Sequence, residues 1–234
     1  GVGLGEDGTL WGGETLHGRI GTWRRVASFR PFRLPGGDKA AREPWRSAAG
    51  LCWEMGVDSA FPVGDISLLH AVWQRGINTP YTSAAGRLFD GAAHLLGLIA
   101  HASYEGQGGM LLEQAAAGDG EVIELPLDEG KQGLLRIDWQ ALISEMMRDE
   151  VPLATRAMTF HRSLAHSIVM QAQHIHAQQP FDAVGLTGGV FQNKLLAELA
   201  LQGLQQAGFD AYLPQQIPCN DGGIALGQLM EAGF

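Results

Sequence analysis

The stretch "AVGLTGGVFQNKLL", residues 183–196, runs a short apolar strand into Thr187-Gly188-Gly189 and then opens a helix near Asn193. Glycines at such a turn let backbone N–H groups approach a bound anion, and a helix N-terminus favours negative charge in front of it. A tight turn capped by Asn193 explains the same residues without a ligand, so two readings stand side by side. The pattern is neither a Walker A loop nor GxGxxG, and the usual P-loop and Rossmann readings do not apply.

One strand later, "PCNDGG" at residues 218–223 repeats the arrangement before the apolar run "IALGQLMEAG". Two consecutive strand-to-helix turns, both rich in glycine and both opening on one edge of a sheet, would form adjacent walls of a cleft. The order strand–loop–helix–strand–loop–helix from Phe181 onward makes the chain an α/β protein. Asp221 lies in the second turn without bulky neighbours. The repeated turn favours a ligand for a divalent ion beside phosphates, with a helix cap as the alternative.

Upstream of this region the helical period dominates. "PLATRAMTFHRSLAHSIVMQAQHIHAQQ" reads as one long helix starting after Pro152, preceded by a helix in "DWQALISEMMRDEV". "EVIELPLDEGKQGLLRIDW" has two apolar runs around "DEGKQG", a hairpin signature. "SAAGRLFDGAAHLLGLIA" is an amphipathic helix, and "YEGQGGMLLEQAAAG" is a loop feeding another. Residues 58–82 are loop-rich around a short helix at Ile66–Gln74. A helix is expected from Ala40 to Met55, with Asp38 as its cap and Gly56 as its stop. Residues 1–34 alternate apolar and polar positions and read as a small antiparallel meander.

Within these elements several groups could carry chemistry. Asp90 on its helix and Glu105 before two glycines form a carboxylate pair of the kind that accepts hydrogen bonds from ribose hydroxyls, although helical aspartates are more often solvated. Asp38, Lys39, Arg42, Glu43 and Arg46 crowd a helix start; Arg42 and Arg46, four apart, would share a face able to receive an anion or simply face solvent. The eight histidines form no ligand cluster by spacing. Cys52 and Cys219 are the only cysteines, without a CxxC pair, which disfavours a disulfide scaffold or thiolate zinc site and suits a reducing cytoplasm.

The bulk numbers agree with a globular protein: 234 residues, 45% hydrophobic and 18% charged, with 33 glycines. A formal charge of −9 and a pI near 5.3 argue against reliance on a broad basic surface for nucleic acid. No apolar run reaches the roughly 18–20 residues of a membrane helix. The opening "GVGLGEDGTLWGGE" lies already inside a glycine-rich pattern, so the chain is expected to be a piece of something longer, with its first strand absent.

Taken together, "GEDGTLWGGE", "FRPFRLPGGDKAAREPWR", "TSAAGRLFDGAAHLLG", "YEGQGGMLLEQ", "GLTGGVFQNKLL" and "NDGGIALGQ" resemble the C-terminal part of the hydrogenase-maturation carbamoyltransferase family HypF. The resemblance runs nearly end to end. It implies a Kae1-like domain of the actin/sugar-kinase/Hsp70 ATPase class (ASKHA), with ribonuclease-H-like lobes around a nucleotide cleft and an N-terminal lobe incomplete in this chain. Residues 1–82 would then be the remainder of the first lobe with an insertion, and residues 83–234 the second lobe with the nucleotide-binding turns.

The family's activity, carried over as an expectation, is transfer of a carbamoyl group to the C-terminal cysteine of a HypE-type partner protein, toward the cyanide ligand of [NiFe] hydrogenases. The carbamoyl-adenylate would be made from carbamoyl phosphate and ATP by acylphosphatase and YrdC-like parts lying outside these residues. On this resemblance Gly188, Gly189 and Asn193 would cradle phosphate, Asp90 and Glu105 would meet the ribose, and Lys39 and Arg42 would contact substrate. Asp221 would hold a divalent metal ion with histidines from an upstream HxxxH-type motif, and the metal would polarise the carbamoyl carbonyl or the phosphate. No nucleic-acid or membrane partner is expected. A tRNA threonylcarbamoyl transferase subunit shares the fold and chemistry but is disfavoured by the acidic balance and the "WGGE" and "PGGDKAAREPWR" blocks. A nucleotide-dependent interaction module without catalysis is the alternative from another class.

Overall fold

Pro44 decides where the first helix begins. It has no amide hydrogen, and its ring keeps Glu43 out of the helical region. The helix expected over Ala40 to Met55 is therefore delivered in two pieces, a 3-10 turn at Gly37–Ala41 and α1 at Trp45–Glu54. Asp38 does not cap either piece: Gly36, at φ 82°, precedes the turn without a side-chain bond.

The protein is described by a computed structural model covering residues 2–57, 61, 66–130 and 133–233. Before α1 come β1 (Gly3–Leu4), β2 (Leu10–Trp11), β3 (Glu14–His17), β4 (Arg24–Phe29) and β5 (Phe32–Arg33). After it come α2 (Ile66–Gln74), β6 (Tyr81–Thr82), α3 (Ala85–Leu95), α4 (Gln107–Ala115), β7 (Leu127–Glu129) and β8 (Leu135–Ile137). The C-terminal part is α5 (Gln140–Met146), α6 (Leu153–Gln178), β9 (Val184–Gly185), α7 (Lys194–Gln206), β10 (Ala211–Tyr212) and α8 (Ile224–Glu231). The loop residues 58–60 and 62–65, and Lys131 and Gln132 of the expected hairpin turn, lie outside the described residues.

The expected meander does not form as one sheet. β1 and β2 pair antiparallel, and so do β3 and β4, but the two hairpins go to different sheets, ordered β1-β2-β6-β5 and β3-β4-β8-β7. β2 runs parallel to β6 and β4 parallel to β8, pairings that no local alternation pattern can announce. The chain changes sheets at Gly12-Gly13. Here the Glu14 carboxylate accepts both glycine amides and the Ser83 hydroxyl, and it pairs with Arg25 at 3.0 Å. A side chain at Gly13 would overlap the Ser83 carbonyl and the Phe29 ring. β7 and β8 are antiparallel as the hairpin signature predicts, and β9 and β10 form a separate parallel pair.

One buried cluster runs from Ala27 to Ala211 and takes in the inner faces of α1, α3, α5, α6 and α7. It is continuous across residues 82 and 83, where the sequence suggests a division. Trp139 sits at its centre, fully buried, with its ring edge-on to Phe32 at 5.8 Å and its indole N–H on the Arg30 carbonyl at 2.7 Å. A smaller cluster of Trp45, Ala49, Trp53 and Trp73 lies beside it. α6 begins directly after Pro152, as read from the sequence, and its 26 residues make a rod of about 39 Å that carries α4 on one flank and α7 on another.

Gly13 and Gly86 differ in what an added methyl would meet. Gly13→Ala would force an overlap with a carbonyl and a ring and is expected to cost about 1–3 kcal/mol. Gly86, inside α3, has nothing within 4 Å of a built Cβ, and its alanine variant is expected to gain about 0.5–1 kcal/mol from helix propensity. Chemical denaturation of the two variants checks both signs.

Candidate functional site

α3 presents Asp90 to the start of α4. Asp90 is 4% exposed, so the expectation of a solvated helical aspartate is corrected. Its neighbour is Gly108, at the first turn of α4, where a Cβ would stand 2.8 Å from Asp90 Oδ1. Any larger residue would displace the carboxyl. Arg87, three residues back on α3, places a guanidinium nitrogen 3.1 Å from Oδ2, yet that oxygen accepts no hydrogen bond and neither does the Arg87 Nε–H find an acceptor. Burial pushes the Asp90 carboxyl up from 3.8 to about 6, Arg87 opposes the shift, and Glu105 adds to it. Glu105 itself is exposed, just ahead of Gly106 at φ 78° and the α4 N-terminus. The two carboxylates thus feel each other across the α3–α4 junction, one buried and one open to solvent.

α4 reaches on to the glycine turn. Leu195, in the first turn of α7, donates its amide to Glu113 Oε1 at 2.9 Å, and Asn193 Oδ1 accepts from Leu196 N–H at 2.9 Å. Between them the two side chains satisfy amides that the helix leaves without partners. Asn193 Nδ2 also points to the Gly109 carbonyl at 3.4 Å and His161 Nε2 at 2.9 Å. The capping reading of Asn193 is therefore realised, and its side-chain bonds are all taken up within the protein.

Gly188 has φ 108° and ψ 155°, a conformation held almost only by glycine. Its amide donates to the Cys219 carbonyl at 2.6 Å, and the Thr187 hydroxyl lies 3.5 Å from the same oxygen. The two glycine turns are stitched together by this bond, so what Gly188 offers an anion is its bare Cα rather than its N–H. Gly189 starts the 3-10 turn Gly189–Gln192, where the first amides have no partner within the turn. A built Cβ at Gly189 meets nothing closer than the Gln192 side chain at 3.9 Å.

The second turn is a 3-10 helix at Asp221–Gly223, capped by Asn220, whose Oδ1 accepts from Gly222 N–H at 3.0 Å. The cap is thus Asn220, and Asp221 stands exposed one residue further on. Among the described residues no group of three or more His, Cys, Asp or Glu could hold a metal ion. One exposed carboxylate supplies far fewer donors than a divalent cation needs. The described residues alone do not make a metal site.

Lys39 lies exposed on the 3-10 turn Gly37–Ala41, and Arg42 ends that turn, also exposed. The Arg42 carbonyl accepts from Ala102 N–H at 2.8 Å, which ties this corner to the loop leading to Glu105. The shared Arg42–Arg46 face is not formed, because Pro44 separates them and Arg46 instead pairs with Glu43 and covers the Trp45 ring at 4.3 Å. The structure thus places Asp90 and Glu105 at the start of α4, ties Asn193 to α4 through the Gly109 carbonyl, and joins the turn that carries Asp221 to Gly188 through Cys219. Arg42 reaches this region through its carbonyl bond from the Ala102 amide.

A family model described as "Carbamoyltransferase, Kae1-like Domain, second subdomain" matches residues 1–228. The chain belongs to the HypF carbamoyltransferase family. It is 41% identical over 238 residues to the carbamoyltransferase HypF of Rhodobacter capsulatus, covering 99% of this chain and 31% of that protein. To the carbamoyltransferase HypF of Synechocystis sp. it is 37% identical over 255 residues, covering 98% and 33% respectively. A crystal structure of full-length HypF in the phosphate- and nucleotide-bound form superposes with a TM-score of 0.88 at 30% identity, covering 99% of this chain and 32% of that one. The chain spans about a third of the length of these two relatives. The mixed α/β architecture is that of solved HypF structures, and no helix among the described residues is long and apolar enough to cross a membrane.

Sequence reasoning passed over Arg87, Gly108, Glu113 and His161. Arg87 was visible as an i,i+3 partner of Asp90, and His161 as a polar residue inside the apolar stripe of Phe160, Leu164 and Ala165. Nothing in the sequence ties Glu113 to a helix that begins 81 positions later at Lys194.

The buried carboxyl makes a signed prediction. With its native pKa near 6 and an unfolded value of 3.8, Asp90 keeps its proton longer in the folded state. The stabilisation is complete below pH 4 and is lost as pH rises through 6, by about 3 kcal/mol. Asp90→Asn should therefore gain stability relative to wild type as pH rises from 4 to 7, in melting curves taken across that range. A difference that shrinks with pH would mean that Arg87 holds the carboxylate ionised.

Proposed function

We propose that this chain is the carbamoyl-transfer part of a HypF-type enzyme of the ASKHA fold class. Residues 1–82 would contribute the first ribonuclease-H-like lobe with an insertion, and residues 83–234 the second lobe. The observation that carries the reading is the bond from the Gly188 amide to the Cys219 carbonyl. It joins the two glycine turns to each other, in a chain similar along its whole length to a HypF solved with phosphate and nucleotide.

On this reading the substrate is carbamoyl-adenylate, made from carbamoyl phosphate and ATP elsewhere in the longer polypeptide. Asp90 and Glu105 would accept hydrogen bonds from the ribose hydroxyls, the ionised form being the better acceptor. Gly188 and Gly189 would let the phosphate lie against the backbone, with the Gly189 amide and the positive end of the turn facing it. Asn193 would serve by holding the turn rather than by touching phosphate. Lys39 and Arg42 would supply positive charge toward the anionic substrate.

The reaction itself is an acyl transfer. The C-terminal cysteine thiolate of a HypE-type partner attacks the carbamoyl carbon, a C–S bond forms, the mixed-anhydride C–O bond breaks, and AMP leaves with the electron pair. The thiocarboxamide produced is the precursor of the cyanide ligand in [NiFe] hydrogenase maturation. Asp221 alone does not hold a cation, so no step of this scheme passes through a metal; its proposed role is one ligand among others from further segments.

Gly189 gives a cleaner test than Gly188, where any side chain is strained by the positive φ whatever the ligand does. In the full-length protein Gly189→Val is expected to melt within a few degrees of wild type, while ATP affinity falls about tenfold or more and carbamoylation of the partner cysteine falls with it. Calorimetry and mass spectrometry of the partner read the two effects. Unchanged affinity and unchanged transfer in the folded variant would remove the glycine wall from the site.

A further inference from the structure

Between the long helix and the glycine turn lies a histidine that the proposed chemistry does not use. His161 on α6 is fully buried. Its Nδ1 is 2.8 Å from the Ala157 carbonyl oxygen, which can only accept, so Nδ1 carries the hydrogen. Nε2 is then a bare acceptor, and it stands 2.9 Å from Asn193 Nδ2, which donates to it. The same carboxamide accepts from Leu196 N–H through Oδ1 and directs its other hydrogen toward the Gly109 carbonyl. Turning the amide over would aim Oδ1 at two acceptors and leave the Leu196 amide facing a donor. One tautomer of one buried ring thus selects one orientation of the cap.

We infer that His161 is a positioning residue for the anion-facing turn: as the Nδ1–H tautomer it locks the Asn193 carboxamide, and through it residues 187–193 and the first turn of α7. The inference rests on reading that turn as the phosphate side of the nucleotide site. A protonated His161 has no acceptor left, and its Nε2–H would confront the Asn193 amide hydrogens.

The groups that face the ring leave it neutral. Phe89 of α3 and Phe160 of α6 stand edge-on to it at 5.6 and 6.0 Å. Glu113 of α4 is the charged group nearest in effect, and its carboxylate is occupied by the Leu195 amide. On the α7 side Lys194 is turned outward toward Glu198 at 3.6 Å. Burial pushes the imidazole below its ordinary value, against the smaller pull of the Ala157 bond and Glu113.

The test uses the full-length protein in three forms, wild type, His161→Leu and His161→Gln, well below their melting temperatures. Leucine removes the acceptor and leaves one Asn193 amide hydrogen without a partner, whereas glutamine places an amide oxygen near the position of Nε2. ATP dissociation constants by calorimetry are expected to rise roughly tenfold to a hundredfold in His161→Leu and to return toward wild type in His161→Gln. On acidification the wild type should lose affinity faster than His161→Gln, which keeps Asp90 but has no ring to protonate. Amide hydrogen exchange without nucleotide should accelerate over residues 187–197 in the leucine variant alone. A leucine variant that melts earlier yet binds ATP and exchanges like wild type would make His161 a packing residue and overturn the inference. If the wild type binds no ATP, the nucleotide reading fails, and the exchange measurement still decides whether His161 anchors the turn.

Discussion

The Asn193 carboxamide is the point on which the C-terminal half of the molecule turns. Four elements meet at it: α7 through the Leu196 amide, α6 through His161, α4 through the Gly109 carbonyl, and the glycine turn through the Asn193 backbone. An asparagine side chain is short and planar, so it can satisfy all of these only if the helices approach at fixed distances. The glycines of α4 provide the approach on one side, with Gly108 against Asp90 and Gly109 against Phe89. The 3-10 turn Gly189–Gln192 provides it on the other. Change any of these backbones and the cap must choose which partner to abandon, each at a cost of about 1–3 kcal/mol for the group left buried.

A second polar centre does comparable work in the N-terminal half. Glu14 and Arg25, with side chains only 9% exposed, sit where the chain leaves one sheet for another. Arg25 also reaches Asp7 at 2.7 Å and lies over the Trp11 ring at 4.0 Å. Burying such a pair costs more than a surface bridge returns unless the remaining lone pairs are filled. Here they are filled by the Gly12 and Gly13 amides and the Ser83 hydroxyl. The consequence for the site is indirect but definite. Ser83 lies two residues before α3, and the Ala85 amide bonds back to the Gly12 carbonyl at 3.1 Å, so the register of the helix that carries Asp90 is set by the "WGGE" segment.

What the sequence shows and hides follows the range of the forces involved. α6 after Pro152 and α2 at Ile66–Gln74 are legible because periodicity, proline and polar flanks are all local. The two glycine turns are legible for the same reason. The sheet partners are not, because β2 with β6 and β4 with β8 are contacts between segments 72 and 108 positions apart in their registers. Alternation cannot distinguish one sheet from two. The apolar periodicity over Ala40–Met55 runs straight through Pro44, which splits the segment into the 3-10 turn and α1. Asp90 illustrates the limit for site residues: its helical position was plain, but its burial depends on Gly108 and on α4 folding over α3. His161 fits no metal-ligand spacing, and its partner, Asn193, lies 32 positions away.

The contrast between Asp90 and Asp221 bears on how a site of this kind is built. Asp221 stands exposed on a short turn. Asp90 is nearly closed off, paired with Arg87 without a hydrogen bond to it, and resists ionisation until about pH 6. Above that pH the folded protein carries a desolvated carboxylate with an unfilled oxygen, a state that weakens the empty protein. A hydroxyl offered to that oxygen recovers part of the lost stability, so the same burial that destabilises the unliganded chain strengthens the bond to a ligand. Gly108 backs Oδ1 and the Arg87 guanidinium flanks Oδ2, so the gain goes to a donor that reaches the unfilled oxygen. On the proposed reading, a ribose hydroxyl would be that donor.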